Sequence, residues 1–113
     1  MRSPISLALL LLAFSLTSVA QACEYPPDLK IPDGKSATQE EITAASAAVK
    51  KYLADMDAYT ACLDADFAAL PVEQQTPEAK SLNVKKYNAA VDAEQAKAAA
   101  FNEQLRAFKA ANK

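Results

Sequence analysis

Residues 38–70 read TQEEITAASAAVKKYLADMDAYTACLDADFAAL, and the spacing of their apolar side chains decides the fold. Ile42, Val49, Met56, Leu63 and Leu70 recur every seven residues, with Ala45, Tyr52 and Tyr59 between them. On an α-helix these two lines wind into one narrow stripe, a seam of the coiled-coil kind. Thr38 and Glu41, three residues apart, form a capping box at the start. Glu40 and Glu41 lie in the first turn, where free N–H groups favour carboxylates. Alanine is abundant, and neither Gly nor Pro appears before Pro71. The pattern predicts a helix over about 39–70.

A break from Pro71 to Thr76 follows, and Thr76-Pro77-Glu78 then restarts a helix, with Thr as N-cap and Pro in the first turn. This second helix is expected over about 77–111. Its seam reads Val84, Val91, Ala98 and Leu105, with Tyr87, Phe101 and Phe108 between them and Glu94 at one core place. A short loop between two long helices makes them antiparallel neighbours. Folding about that loop sets Leu63 against Val84, Met56 against Val91, Val49 against Ala98 and Ile42 against Leu105. In the other layer Tyr59 faces Tyr87, Ala45 faces Phe101, and the Tyr52 hydroxyl is expected to bond the Glu94 carboxylate. Leu53 and Phe67 flank the first seam and Leu82 lies off the second, where they can meet another segment or a second copy. The expected fold class is all-α: an antiparallel, coiled-coil-like two-helix hairpin spanning 38–113.

Ahead of the hairpin, residues 1–22 read as a signal peptide. Arg2 is followed by an apolar run from Ile5 to Leu16; Ala20-Gln21-Ala22 is a small-residue cleavage pattern that would release Cys23, and Ser18-Val19-Ala20 offers a cut two residues earlier. The run is shorter than the ~20 residues a bilayer span requires, so no transmembrane segment is expected after cleavage. Without Arg2, 11 basic residues remain against 14 acidic ones, a net charge of −3. These charges form no basic patch, so nucleic acid is not an expected partner.

Export brings Cys23 and Cys62 into an oxidising compartment, where two cysteines have one intramolecular pairing. A Cys23–Cys62 disulfide is expected. The rival reading is a lipoprotein anchored through Cys23; Ala20 and Gln21 fit a lipobox poorly, and Cys62 would be left alone.

Between Cys23 and the hairpin, residues 23–37 hold Pro26, Pro27 and Pro32 and the only glycine, Gly34, in a Pro-Asp-Gly turn. Consecutive prolines impose extended backbone. From Thr38 to Cys62 a helix rises ~36 Å, and the arm from Cys23 to Ala37 can stretch ~43 Å. An extended Pro-rich N-terminal arm can therefore reverse at the turn, run back along the hairpin and reach Cys62, covering the seam with Tyr25, Leu29 and Ile31.

The chain has no His, which removes Ser/His/Asp and Cys/His catalysis and the commonest metal ligand. One Gly rules out P-loops and dinucleotide fingerprints. Two cysteines not spaced C-x-x-C support neither a zinc site nor thioredoxin-like exchange. Asp55-x-Asp57 and Asp64-x-Asp66 are acidic pairs, but residues two apart on a helix point away from each other. They read as solvated faces. No catalytic, cofactor-binding or metal-binding residue is nominated, no cofactor is expected, and the chain is not expected to be an enzyme.

Pro32-Asp33-Gly34, Thr38, Glu41, Val49-Lys50, Tyr52, Tyr59 and Cys62-Leu63 together form a pattern across the arm and first helix. It resembles small uncharacterised exported proteins of proteobacteria. That resemblance implies a periplasmic or secreted setting and carries no activity. The expected role is an interaction or structural module meeting a protein partner or a second copy as a homodimer; the alternatives are the lipoprotein and a small-ligand binder.

Overall fold

The computed structural model describes residues 22–113; the expected signal peptide, apart from Ala22, lies outside the described residues. Helix α1 spans Gln39–Ala69 and helix α2 spans Pro77–Ala111, joined through a 3-10 turn at Val72–Gln74. The described chain is an all-α helical hairpin, as the spacing predicts. Both helix starts use the expected side chains. Glu41 N–H donates to Thr38 Oγ1 at 3.2 Å while Thr38 N–H donates to Glu41 Oε2 at 2.7 Å. At the second start Ala79 N–H donates to Thr76 Oγ1 at 3.1 Å. Each cap satisfies donors that a helix start leaves bare, an effect of about 1 kcal/mol apiece. The helix-ending carbonyl of Leu70 accepts from Gln75 Nε2 at 2.8 Å, which closes the loop on itself.

Most of the first seam is buried: Ile42, Ala45, Val49, Tyr52, Met56 and Leu63 all face inward, Met56 is fully enclosed, and Tyr59 and Leu70 are half-buried. Leu53 packs against the same core, and Leu70, expected to end α1, serves as its C-cap. Pairing along the hairpin follows the expected axial register, since Ala45 shares a cluster with Phe101 and Met56 shares one with Ala90.

The second seam differs from expectation. Val84 is 46% exposed and Tyr87 37%. Val91, Ala98 and Leu105 are half-buried, and the enclosed residues of α2 are Ala90, Phe101 and Phe108. Helix α2 is turned about its axis so that the line Ala90, Lys97, Gln104 joins Val91, Ala98, Leu105 beside the Phe101 line: Ala90 is enclosed, while Leu105 still packs against the core. The arm causes this rotation. A two-helix seam asks α2 for one contact face, whereas the arm makes a third partner and draws a second face inward. The Tyr52–Glu94 hydrogen bond is also absent among the described residues. Tyr52 faces the arm, and Glu94 Oε1 is buried without a hydrogen-bond partner. The expected Tyr59–Tyr87 layer is replaced too, because Tyr59 meets the arm's Tyr25 edge-to-face at 5.1 Å between ring centroids.

Candidate functional site: the strapped arm and its grooves

The arm runs antiparallel to α1 and is fastened at three places. At its far end Cys23 and Cys62 form the expected disulfide, with Cα atoms 5.6 Å apart. In the middle, Lys97 of α2 reaches across and its Nζ donates to Asp28 Oδ1 at 2.8 Å and to the Leu29 carbonyl at 2.6 Å. The same ammonium stands 5.8 Å from the Tyr52 ring centroid. The Lys97 side chain is only 18% exposed, so its charge sits at a covered junction where the carbonyl and carboxylate replace lost water. Lys97, through its hydrogen bond and then its charge, holds the Asp28 carboxyl below the usual value. Asp28 itself stays in solvent, which makes the ion pair a weak contributor beside the hydrogen bond to Leu29. Leu29 and Ile31 pack onto the helical core as expected.

The third fastening is the turn at Gly34, Lys35 and Ser36. Asp33 organises it: its carbonyl accepts from Ser36 and Ala37 N–H at 3.2 and 2.9 Å, and its Oδ1 accepts from Lys35 N–H at 3.0 Å. Gly34 N–H donates to Gln104 Oε1 at 2.8 Å. A Cβ at Gly34 would stand 1.9 Å from the Gln104 carbonyl oxygen and 2.9 Å from Phe108 N. The chain's only glycine thus serves close approach of two backbones; its φ is not positive.

Two grooves flank the arm on its α1 side. One, of about 440 Å³, is walled by Pro26, Pro27 and Tyr59 and reaches Cys62, with Lys51 and Asp55 forming an ion pair at its lip. The adjoining one, of about 240 Å³, lies under Pro27 and Leu29 against Ala48 and Tyr52. On the opposite side of the hairpin, Ile42, Ser46, Phe101 and Leu105 line a third groove of about 430 Å³. All three are open clefts with alanine and aromatic walls, and the two beside the arm add proline.

The four acids of the two Asp-x-Asp pairs go separate ways, as the helical spacing requires. Asp55 pairs with Lys51. Asp57 faces Glu94 across the hairpin. Asp64 accepts from Asn83 Nδ2 at 3.5 Å. Asp66 places Oδ2 3.1 Å from Cys23 Sγ. A disulfide sulfur carries no proton, so this last contact is not a hydrogen bond. Cys23, Cys62 and Asp66 bring their heteroatoms within 4.8 Å of one another, but the two sulfurs are bonded together and offer no thiolate to a metal.

Two titrations are displaced by the packing. Burial raises the Tyr52 hydroxyl, with the neighbouring Tyr25 adding to the effect. Burial also raises the Glu94 carboxyl, and the facing Asp57 pushes it the same way. A carboxyl whose folded pKa is raised stabilises the fold while protonated, and that contribution fades as pH climbs from the ordinary value of 4.5 through the raised one. Glu94→Gln keeps the shape and removes the titration. It is expected to gain about 1 kcal/mol at pH 7 and to lose the wild type's relative stabilisation at acid pH. Urea titrations at pH 4 and pH 7 read the difference; identical pH dependence in both proteins refutes it.

Lys97 and Gln104 were not anticipated from sequence. The signal was present, since Ala90, Lys97 and Gln104 repeat every seven residues beside the Phe101 line. Here the polar heptad line lies where α2 meets the arm, whose carbonyls and amides need partners. Compared with family models, curated proteins and solved structures, the chain matches none of them.

Proposed function

We propose that the chain is a small exported, non-enzymatic interaction module of the periplasm or the extracellular medium, a strapped hairpin that offers its uncovered helical side to a second copy of itself. The observation that carries this reading is the exposed pair Val84 and Tyr87 on α2, at 46% and 37%. Val84 begins a heptad line that continues through Val91, Ala98 and Leu105, which the chain's own packing leaves half-covered, and Tyr87 is the exposed first member of the line that continues inward through Glu94, Phe101 and Phe108. Heptad spacing is what a parallel or antiparallel helix of matching length reads. The arm meanwhile closes the opposite side. Export rests on the N-terminal pattern, and the disulfide is compatible with it. A sulfur already bonded to Cys62 cannot carry a lipid thioether, which favours ordinary cleavage over a lipid anchor.

Light scattering on the eluting mature chain tests the reading. The weight-average mass is expected to rise from one chain toward two with concentration, and to stay at one in Val84→Glu. A strict monomer at millimolar concentration overturns the proposal. Intact mass on the same sample separates the two processing routes: a deficit of two hydrogens accompanies the disulfide, several hundred added daltons an acyl anchor.

A further inference from the structure

We propose that Asp66 is a specificity-determining residue for the staple: its carboxylate screens the Cys23–Cys62 disulfide against anionic thiols. The inference rests on the disulfide alone and is independent of self-association. Reduction begins when a thiolate RS⁻ attacks one sulfur, forms a mixed disulfide with it and expels the other as a thiolate, which takes a proton from water. A second thiol then resolves the mixed disulfide and is itself oxidised to RS–SR. Both choices of target meet Asp66, whose Oδ2 lies 3.1 Å from Cys23 Sγ. Attack on Cys23 drives the incoming negative charge onto the carboxylate. Attack on Cys62 expels a Cys23 thiolate beside that same carboxylate, which makes Cys23 a poor leaving group.

Lys86 of α2 lines a groove with Asp66, yet the two form no ion pair among the described residues, so no side-chain cation is bonded to the carboxylate beside the sulfur. Glu24 lies next to Cys23 in the chain and lines the groove that reaches Cys62. The cation of that groove, Lys51, is paired with Asp55. Asp66 stands one helical turn beyond Cys62, so it projects on the same side of α1. Both cysteines are half-buried rather than enclosed, so access alone does not protect them.

The test compares second-order rate constants for reduction of the oxidised mature chain by cysteamine, 2-mercaptoethanol and mercaptoacetate, each expressed per thiolate and read by alkylation and mass. The wild type is expected to react several-fold faster with cationic cysteamine than with anionic mercaptoacetate, relative to their rates with a small neutral disulfide. In Asp66→Asn that preference should fall by about threefold or more, and in 0.5 M salt the wild-type preference should shrink likewise. Asp64→Asn removes the same unit of charge from the same helix away from the sulfur and should leave the preference unchanged. A loosened fold would raise all three rates together and leave the ratio alone. In a chain cut after Ala22, the Cys23 ammonium adds equally to every variant. An unchanged ratio in Asp66→Asn, or an equal change in Asp64→Asn, overturns the proposal.

Discussion

Replacing Cys62 with serine is expected to lower the unfolding free energy by about 4 kcal/mol. The disulfide joins residues 39 apart in sequence. Closing a loop of that length restricts the unfolded chain by about 4 kcal/mol in the chain-entropy description. The folded side loses as well. Tyr25 is 51% exposed, so its edge contact with Tyr59 supplies little burial to hold the arm's first residues once the sulfur bond is gone. Two helices bury one stripe, and a domain near 90 residues has only a few kcal/mol to lose. Urea denaturation of wild type and Cys62→Ser, read by far-ultraviolet circular dichroism, is the measurement. A midpoint within 0.3 M of wild type would mean that the staple does not constrain the unfolded chain.

Gly34→Ala is expected to cost about 3 kcal/mol, a large figure for one methyl group in a turn, because Gly34 is buried against α2. Relaxing a side-chain rotamer cannot relieve the clash, because the atoms met at 1.9 to 2.9 Å belong to the backbone of α2. The turn must lift away, which strands the Gly34 N–H and Gln104 Oε1 from each other and pulls Ile31 off the core. With the disulfide intact, the arm is held at Cys23 and the turn cannot lift freely. In a Cys62→Ser background the arm can swing out, so the same substitution should cost about 1 kcal/mol. That difference is a coupling energy between two sites at opposite ends of the arm. Equal costs in both backgrounds would show that the arm does not transmit the strain.

The hairpin was legible because α1 repeats its apolar residues every seven positions and both helices carry their caps in plain view. The disulfide was legible because two cysteines allow one pairing and the arm's length suits the span. What escaped was the rotation of α2. Val84, Val91, Ala98 and Leu105 satisfy the heptad rule as well as Ala90, Lys97 and Gln104 do, and hydrophobicity ranks them higher, although both lines end up partly covered. The choice between the two lines turns on the arm's polar backbone, whose amides and carbonyls demand partners that Lys97 and Gln104 provide and Val91 and Leu105 cannot. Glu94 was read correctly as a misfit in the core. Its partner was misassigned because Tyr52 is drawn to Tyr25 and the arm, which leaves the carboxyl facing Asp57. The contact of Asp66 with the sulfur follows from position four residues past Cys62, a spacing visible in the sequence that became informative only once the disulfide was placed.

The sulfur link makes a closed ring of the arm and most of α1, while α2 hangs outside it as a linear tail. A threading machine that grips the C-terminus would draw α2 through as a single strand and then arrive at a knot-like obstacle at Cys62, where two strands must enter the pore side by side. Seen this way, the bond sets a stop point for directional degradation as well as a shape: the tail can be consumed, and the ring must first be cut or reduced.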